Sequence, residues 1–314
     1  MHFRRVTREQ HRQAKFLTEA ALGAGPVLPV RRAEALAAGP VAGPIHFVFH
    51  SAFCLSTLVA RAFDLPGRAM GLKEPTILND LVGWKRRGAG WREVVGVLDG
   101  ALTLLARPFG PGEAVVMKPS NVSHALAEPM LDLRPAARAL LLYAPLPDYL
   151  NSIARKGLEG RLWVRTLLLG LQDDGLIDLG FDARALLGQT DLQVAATGWL
   201  AQQALFARLR GRYGARVVTL DSAALTARPE PAMRGLAGHF GVALDEAALA
   251  AVLAGPAFTS HSKTGERFDG AARAAEQHDA AQLHADEIGK VVVWAEAVAK
   301  AAGVAMAPGG ALLA

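Results

Sequence analysis

The chain has 314 residues, half of them hydrophobic (51%) and a fifth charged (20%), with a mean hydropathy of +0.21. That balance excludes a disordered or fibrous protein, and a chain this long buries enough of its own surface to fold without disulfide staples. Lys and Arg total 34 against 29 Asp and Glu, a net charge of +5, which is too mild and too scattered for a nucleic-acid binder but suits a protein that collects an anion at one place.

No apolar run reaches the roughly 18 residues a membrane-spanning helix needs, because Arg138, Asp245–Glu246 and Lys300 interrupt the most apolar stretches. The first ten residues lack the apolar core of a signal peptide. Cys54 is the single cysteine, so it forms no intramolecular disulfide and builds no cysteine zinc site. The expectation is a soluble, cytoplasmic protein that engages neither membrane nor nucleic acid.

In chain order, a Gly/Pro/Ala-rich loop from Ala38 to Pro44 delivers the first convincing strand, Ile45–Phe49. Four more short apolar or β-branched runs follow: Ala69–Leu72, Ala114–Met117, Ala139–Tyr143 and Val217–Leu220. Segments with helical spacing separate them, including Arg92–Leu105, Leu192–Arg210 and Pro231–Phe240. Solidly apolar strands alternating with helices predict a parallel sheet covered on both faces. Residues 1–44 and 245–314 read as helical extensions, the latter with a loop around Gly255–Asp269. The whole chain reads as one three-layer α/β domain.

The most informative stretch runs from Phe49 to Asp64. A buried strand ends, a loop of small residues follows, and Leu55, Leu58, Val59, Ala62 and Phe63 form one apolar stripe at helical spacing. Ser56 and Thr57 fall in the first turn, where amides have no partner inside the helix. Two readings stand: a cradle for a phosphate-like anion built from free amides and two hydroxyls, or an ordinary strand-to-helix connection with serine caps. The lysine of the Walker pattern is missing, since Leu55 precedes Ser56-Thr57, and this argues against nucleotide triphosphate hydrolysis.

With these residues in view, the sequence resembles the P-loop sulfotransferases. That family places Pro-Lys/Arg-Ser-Gly-Ser/Thr-Thr after its first strand, and Ala52-Phe53-Cys54-Leu55-Ser56-Thr57 fills those positions. The Ser-Thr pair matches, while Phe53 and Leu55 depart from the pattern. Tyr143-Ala144-Pro145-Leu146-Pro147-Asp148 through Ser152 is similar to the family's Arg-x-Pro-Arg-Asp-x-x-x-Ser segment, with Tyr143 in place of the arginine. Leu72-Lys73-Glu74-Pro75 and the late run Val217–Leu225 with His239-Phe240-Gly241 follow in the family's order. The resemblance spans roughly Ile45 to Val242.

The resemblance implies a P-loop-type fold and an enzyme that moves a sulfuryl group from the donor 3′-phosphoadenosine 5′-phosphosulfate (PAPS) to a hydroxyl or amine, with no metal. On it, Ser51, Ala52, Phe53, Cys54, Leu55, Ser56 and Thr57 hold the phosphosulfate, and Ser152, with Arg155 and Lys156 beside it, holds the 3′-phosphate. Lys118 stands in for the loop cation that Phe53 lacks. Glu74 or His124 takes the acceptor's proton, and Glu74 is favoured. The acceptor is a small molecule or a peptide, and a homo-oligomer is compatible with all of this. Other readings remain open: Lys118 as a solvated strand-end lysine, His124 as a satisfied histidine, Glu74 as a helix-flanking carboxylate, and Arg155–Lys156 as a positively charged helix end. At the level of the protein the alternatives are a degenerate P-loop protein that binds a nucleotide or a partner protein, and a kinase-like phosphotransferase. His46 and His50 share a strand face without a third ligand. A helix N-terminus lowers a nearby thiol's pKa, but Cys54 has no identifiable base and reads as a loop residue. His261-Ser262-Lys263 is a candidate basic lid.

Overall fold

Five apolar strands carry the architecture: β1 (Ile45–His50), β2 (Ala69–Lys73), β3 (Ala114–Lys118), β4 (Ala139–Tyr143) and β5 (Val217–Asp221). In this computed structural model, which describes residues 1–23, 25–39, 41–259 and 270–313 (of 270–283 only the backbone), they form one parallel sheet in the order β2-β3-β1-β4-β5. Every residue of β1, β2, β3 and β4 is buried. Burial on both faces explains why the sequence shows apolar runs rather than alternation. β1 is central, and its chain leaves for β2 by crossing β3, so the strand order reverses beside it. In open α/β sheets that reversal marks where ligands meet the carboxyl ends of strands.

Around the strands lie helices α1 (Ser56–Ala62), α2 (Thr76–Arg86), α3 (Trp91–Leu105), α4 (Ala127–Leu133), α5 (Leu146–Arg155), α6 (Gly157–Asp173), α7 (Asp191–Tyr213), α8 (Ser222–Ala227), α9 (Pro229–Phe240), α10 (Glu246–Ala254) and α11 (Gly270–Ala302). The chain divides into two compact units. One contains the described residues of Met1–Phe49, Ser56–Leu140 and Met233–Glu266, and the other those of His50–Leu55, Leu141–Ala232 and Arg267–Ala314.

In the first unit the register of β2 on β3 is residue for residue, ending with Lys73 opposite Lys118, and β3 continues onto β1 with Met117 opposite Phe47. α1 lies so close to β2 that a Cβ on Gly71 would sit 1.8 Å from the Ala60 carbonyl oxygen. α9 packs Phe240 against Phe63 and His46. The His46 ring nitrogen Nδ1 accepts the Arg138 amide at 3.2 Å, a bond that needs the neutral ring. Residues 1–44 are less helical than their composition suggests. Besides short helices at Arg8–Gln13, Glu19–Leu22 and Arg32–Ala37, His2–Phe3 pairs antiparallel with Leu28–Pro29.

In the second unit α7 is the central helix. It starts on a capping box between Thr190 and Gln193 and buries residues on every side, as a helix inside a core must. Its Trp199 indole donates to the Ala144 carbonyl at 2.9 Å, tying the helix to the exit of β4. α11 packs on α5 and α7. Edge strand β5 is covered by the C-terminal tail, where Thr219 donates its amide to Gly310 and accepts from Leu312; an edge left open would invite pairing with another chain. The segment expected to loop over Gly255–Asp269 begins instead with a helical turn, Pro256–Thr259, and the rest of it, including His261-Ser262-Lys263, lies outside the described residues.

No described helix is long and apolar enough to cross a membrane. The tight α1–β2 approach yields a prediction. Gly71→Ala should lower stability by about 1–3 kcal/mol, the usual cost of overpacking, seen as a lower thermal midpoint. An unchanged midpoint would contradict this account of the packing.

Candidate active site

The loop from Ser51 to Leu55 has five residues to turn a fully buried strand into a helix, and it does so without glycine. Ala52 (φ 69), Phe53 (φ 52) and Leu55 (φ 65) adopt the left-handed conformation, which side chains other than glycine's rarely take. Such residues persist only where their surroundings over-determine them. Here contacts along the loop hold Ala52, Phe53 and their neighbours. Ser51 donates its amide to Leu142 and accepts the Ala144 amide on its hydroxyl at 3.2 Å. Ala52 donates its amide to the His50 ring at 3.1 Å. Phe53 meets the rings of Tyr149 and Trp163 edge-on at 5.9 and 5.4 Å. Cys54 is fully buried, with its thiol donating to the Leu142 carbonyl at 3.3 Å. That bond uses the protonated thiol, so the lowered pKa expected of a helix-end cysteine has no role here.

Left-handed residues in a turn are one ingredient of the backbone nests that bind anions. Ser56 and Thr57 follow directly, each only 6% exposed. Among the described residues, neither their hydroxyls nor the amides of Leu55, Ser56 and Thr57 have a hydrogen-bond partner.

The fourth non-glycine residue in the left-handed region is Glu74 (φ 53). In a continued strand its side chain would face away from that of Lys73. The left-handed backbone instead ends β2, sends the Glu74 amide to the Lys118 carbonyl at 2.8 Å and brings the carboxylate into an ion pair with the Lys118 ammonium. Lys118 is 1% exposed, while the Glu74 side chain keeps 20%. Phe16 sets its ring 5.3 Å from the Lys118 ammonium. His124 lies in the 3₁₀ turn Asn121–Leu126, 2% exposed. Of the two candidate bases, the carboxylate is the one that keeps contact with solvent.

Ser152 and Arg155 belong to the end of α5, and Lys156 is its C-cap. The Ser152 hydroxyl donates to the Asp148 carbonyl at 2.9 Å, one turn back, and Arg155 and Lys156 are exposed. The glycines after them have local reasons. Gly157 (φ 56) turns the chain from α5 into α6, and a Cβ on Gly160 would meet the Ile153 carbonyl at 2.7 Å. Tyr143, which the sequence resemblance sets against an arginine, is the last residue of β4. It is nearly buried, and burial, with the Asp221 carboxylate adding to it, pushes its phenol upward, so it supplies no charge.

Three arrangements escape a reading of the sequence: His50 accepting the Ala52 amide, Phe16 set over the Lys118 ammonium, and Lys73 at the end of β2 holding the N-terminal segment that carries Phe16. The 2% exposed Lys73 ammonium donates to the carbonyls of His11, Arg12 and Ala14 at 2.9, 2.9 and 2.6 Å. Burial first, then the Arg61 charge, pulls its pKa down to about 8. The one hint of such a lysine is that it closes the otherwise apolar, fully buried run of β2. Among the described residues no three His, Cys, Asp or Glu side chains gather around a space for a metal ion.

No family model and no curated protein matches the chain. Among solved structures it is similar to sulfotransferase STF9 from Mycobacterium avium, at 15% identity over 82% of this chain and 79% of that one, with a TM-score of 0.44. It is also similar to the sulfotransferase domain of the Synechococcus PCC 7002 olefin synthase (14% identity, 75% and 84% covered, TM-score 0.41). A third likeness is to the sulfotransferase domain from the curacin biosynthetic pathway (13%, 71% and 82%, TM-score 0.43). Likenesses this distant leave the chemistry to be argued from the chain's own residues.

The N-terminal clamp has a pH signature. Burial, then the Lys73 charge, lowers the His11 pKa from 6.5 to about 4. A histidine kept neutral by folding stabilises the protein above the unfolded value, and that contribution is lost as pH falls from 6.5 toward the folded value. The thermal midpoint should therefore drop between pH 6.5 and 4. His11→Phe, which keeps a ring against Phe109, should flatten the drop, leaving the share of His46, whose pKa is also lowered to about 4. Superimposable curves for the two proteins would contradict this.

Proposed function

We propose that the chain is a sulfotransferase-like enzyme that moves a sulfuryl group from PAPS to a hydroxyl or amine of an acceptor. The observation that carries the reading is the loop after β1. Three non-glycine residues are held left-handed there, immediately before two nearly buried hydroxyls and three amides that bond to nothing else in the described protein. Among the described residues nothing uses these donors, and in this reading an oxyanion satisfies them.

Sulfuryl transfer breaks the bond between sulfur and the donor's bridging phosphate oxygen and forms one from sulfur to the acceptor. The acceptor loses a proton and the adenosine bisphosphate leaves with the bridging oxygen. Positioning and charge stabilisation carry most of such a reaction. In this reading the amides and hydroxyls of residues 51–57 hold the phosphosulfate, and Lys118 compensates the charge that grows on the bridging oxygen. Glu74 accepts the proton, being a carboxylate that is partly exposed and already salt-bridged to that lysine. Ser152, Arg155 and Lys156 serve the 3′-phosphate, with the Ser152 hydroxyl turning from the Asp148 carbonyl to the ligand.

A second reading has its own support. Phe53 and Tyr143 stand where the family carries cations, and Phe53 is committed to Tyr149 and Trp163. Burying a highly charged donor with few cations is costly, so a P-loop protein that binds a nucleotide without transferring is the competitor.

Thermal shift tests the binding that both readings need, and product analysis separates them. A ligand at about 100 times its dissociation constant adds about 2.7 kcal/mol, so adenosine 3′,5′-bisphosphate should raise the midpoint while ADP does not. Ser56→Ala with Thr57→Ala should abolish the response. Incubation with PAPS and a panel of hydroxyl and amine acceptors should then give a product heavier by one sulfuryl group, detected by mass spectrometry. Lys118→Met should remove the product while the shift remains. Stabilisation only by ATP with magnesium, or no stabilisation at all, would contradict the proposal. Binding without product would favour the competitor.

A further inference from the structure

The chemistry proposed above assigns nothing to the N-terminal segment, yet that segment is fixed in place by buried charge. Thr7 caps the helix Arg8–Gln13, with its hydroxyl accepting from the Gln10 amide. Arg8 reaches Glu113 at 2.6 Å and Asp64 at 3.4 Å, and Arg12 reaches Asp64 at 3.1 Å. Lys73 then gathers the carbonyls of His11, Arg12 and Ala14, which are the acceptors a helix end leaves without intrahelical partners. Three residues on, Leu17 donates its amide to the Lys73 carbonyl at 2.7 Å and accepts the Thr76 hydroxyl at 3.0 Å. Residue 16 is thus pinned on both sides by groups flanking Glu74, and its ring faces the ammonium of Lys118 at 5.3 Å.

We infer that Phe16 is a positioning residue for the Lys118–Glu74 pair, carried on a strap whose anchor is Lys73. The geometry gives it two tasks. A ring face beside an ammonium attracts it and orients it. The same ring keeps water from a lysine that is 1% exposed, so that its charge acts at close range with little screening. Lys73 and Lys118 are direct neighbours across β2 and β3. One holds the strap and the other works beneath it, and the left-handed Glu74 lies next to the first and pairs with the second. The role in turnover rests on the sulfuryl-transfer reading; the shielding of Lys118 does not.

The test therefore begins with a readout that needs no activity. The full-length chain is reductively methylated with formaldehyde and cyanoborohydride, and the rate at Lys118 is measured by peptide mass spectrometry relative to the exposed Lys300. Phe16→Ala should raise the Lys118/Lys300 ratio about tenfold, the kind of change that opening a buried site locally produces, and Phe16→Trp should restore the wild-type ratio. If the alanine variant does not fold, Phe16→Leu keeps bulk without a ring and should raise the ratio in the same direction, again reversed by Trp. An unchanged ratio overturns the inference whatever the activity. Where transfer from PAPS is measurable, Phe16→Leu should lower kcat with the KM for PAPS unchanged, and an unaltered kcat overturns the positioning role. A wild type that transfers nothing while its Lys118 responds to Phe16 keeps the shield and removes the sulfotransferase reading instead.

Discussion

The architecture turns on a local constraint: β1 is buried along its whole length and α1 begins only five residues after it ends. The connection must reverse the chain without exposing the strand or delaying the helix, and it has no glycine to ease the turn. Left-handed backbone at Ala52, Phe53 and Leu55 costs on the order of 1–3 kcal/mol per residue. The cost is offset by the bonds of Ser51 and Cys54 to the exit of β4 and by the aromatic packing of Phe53. Removing any of these supports would let the loop relax. Strain at one turn is thus what the candidate site is made of, and the tight Gly71 contact that seats α1 on β2 belongs to the same economy of space.

A second local exception complements the first. Glu74 leaves strand geometry at the end of β2 and brings its carboxylate to Lys118 at the end of β3. Buried ion pairs are weak contributors to stability because desolvation consumes most of the attraction. Under the proposed function such a pair, with Phe16 beside it, serves chemistry rather than stability. Both sheet-end exceptions occur where parallel strands finish, which is where an open α/β sheet presents ligand-binding groups.

Much of the frame was legible in the sequence. Ala139–Tyr143 is a strand with the bounds its apolar run suggests, β1, β2, β3 and β5 each extend one residue further, and α3 starts one residue earlier than Arg92. Burial dictates these segments, and burial is written in residue type. The pairing of Glu74 with Lys118 was anticipated only as two separate candidates at strand ends. The conformation of the loop was not legible, because glycine is the usual sign of positive φ and here alanine, phenylalanine and leucine adopt it under tertiary constraint. Phe16 over Lys118 left no trace either, since about a hundred residues separate them and only the fold brings them together. The glycines that follow Arg155 and Lys156 answer to local needs, a helix-to-helix turn at Gly157 and a close backbone approach at Gly160.

The most direct test of the central claim is to follow the backbone amides of Leu55, Ser56 and Thr57 by nitrogen-15 NMR while adenosine 3′,5′-bisphosphate is added. If this turn is an oxyanion cradle, those three signals shift together and saturate with one dissociation constant, as donors do when they gain an acceptor. If the nucleotide binds and moves other amides while these three stay fixed, or if nothing shifts at all, the cradle does not exist.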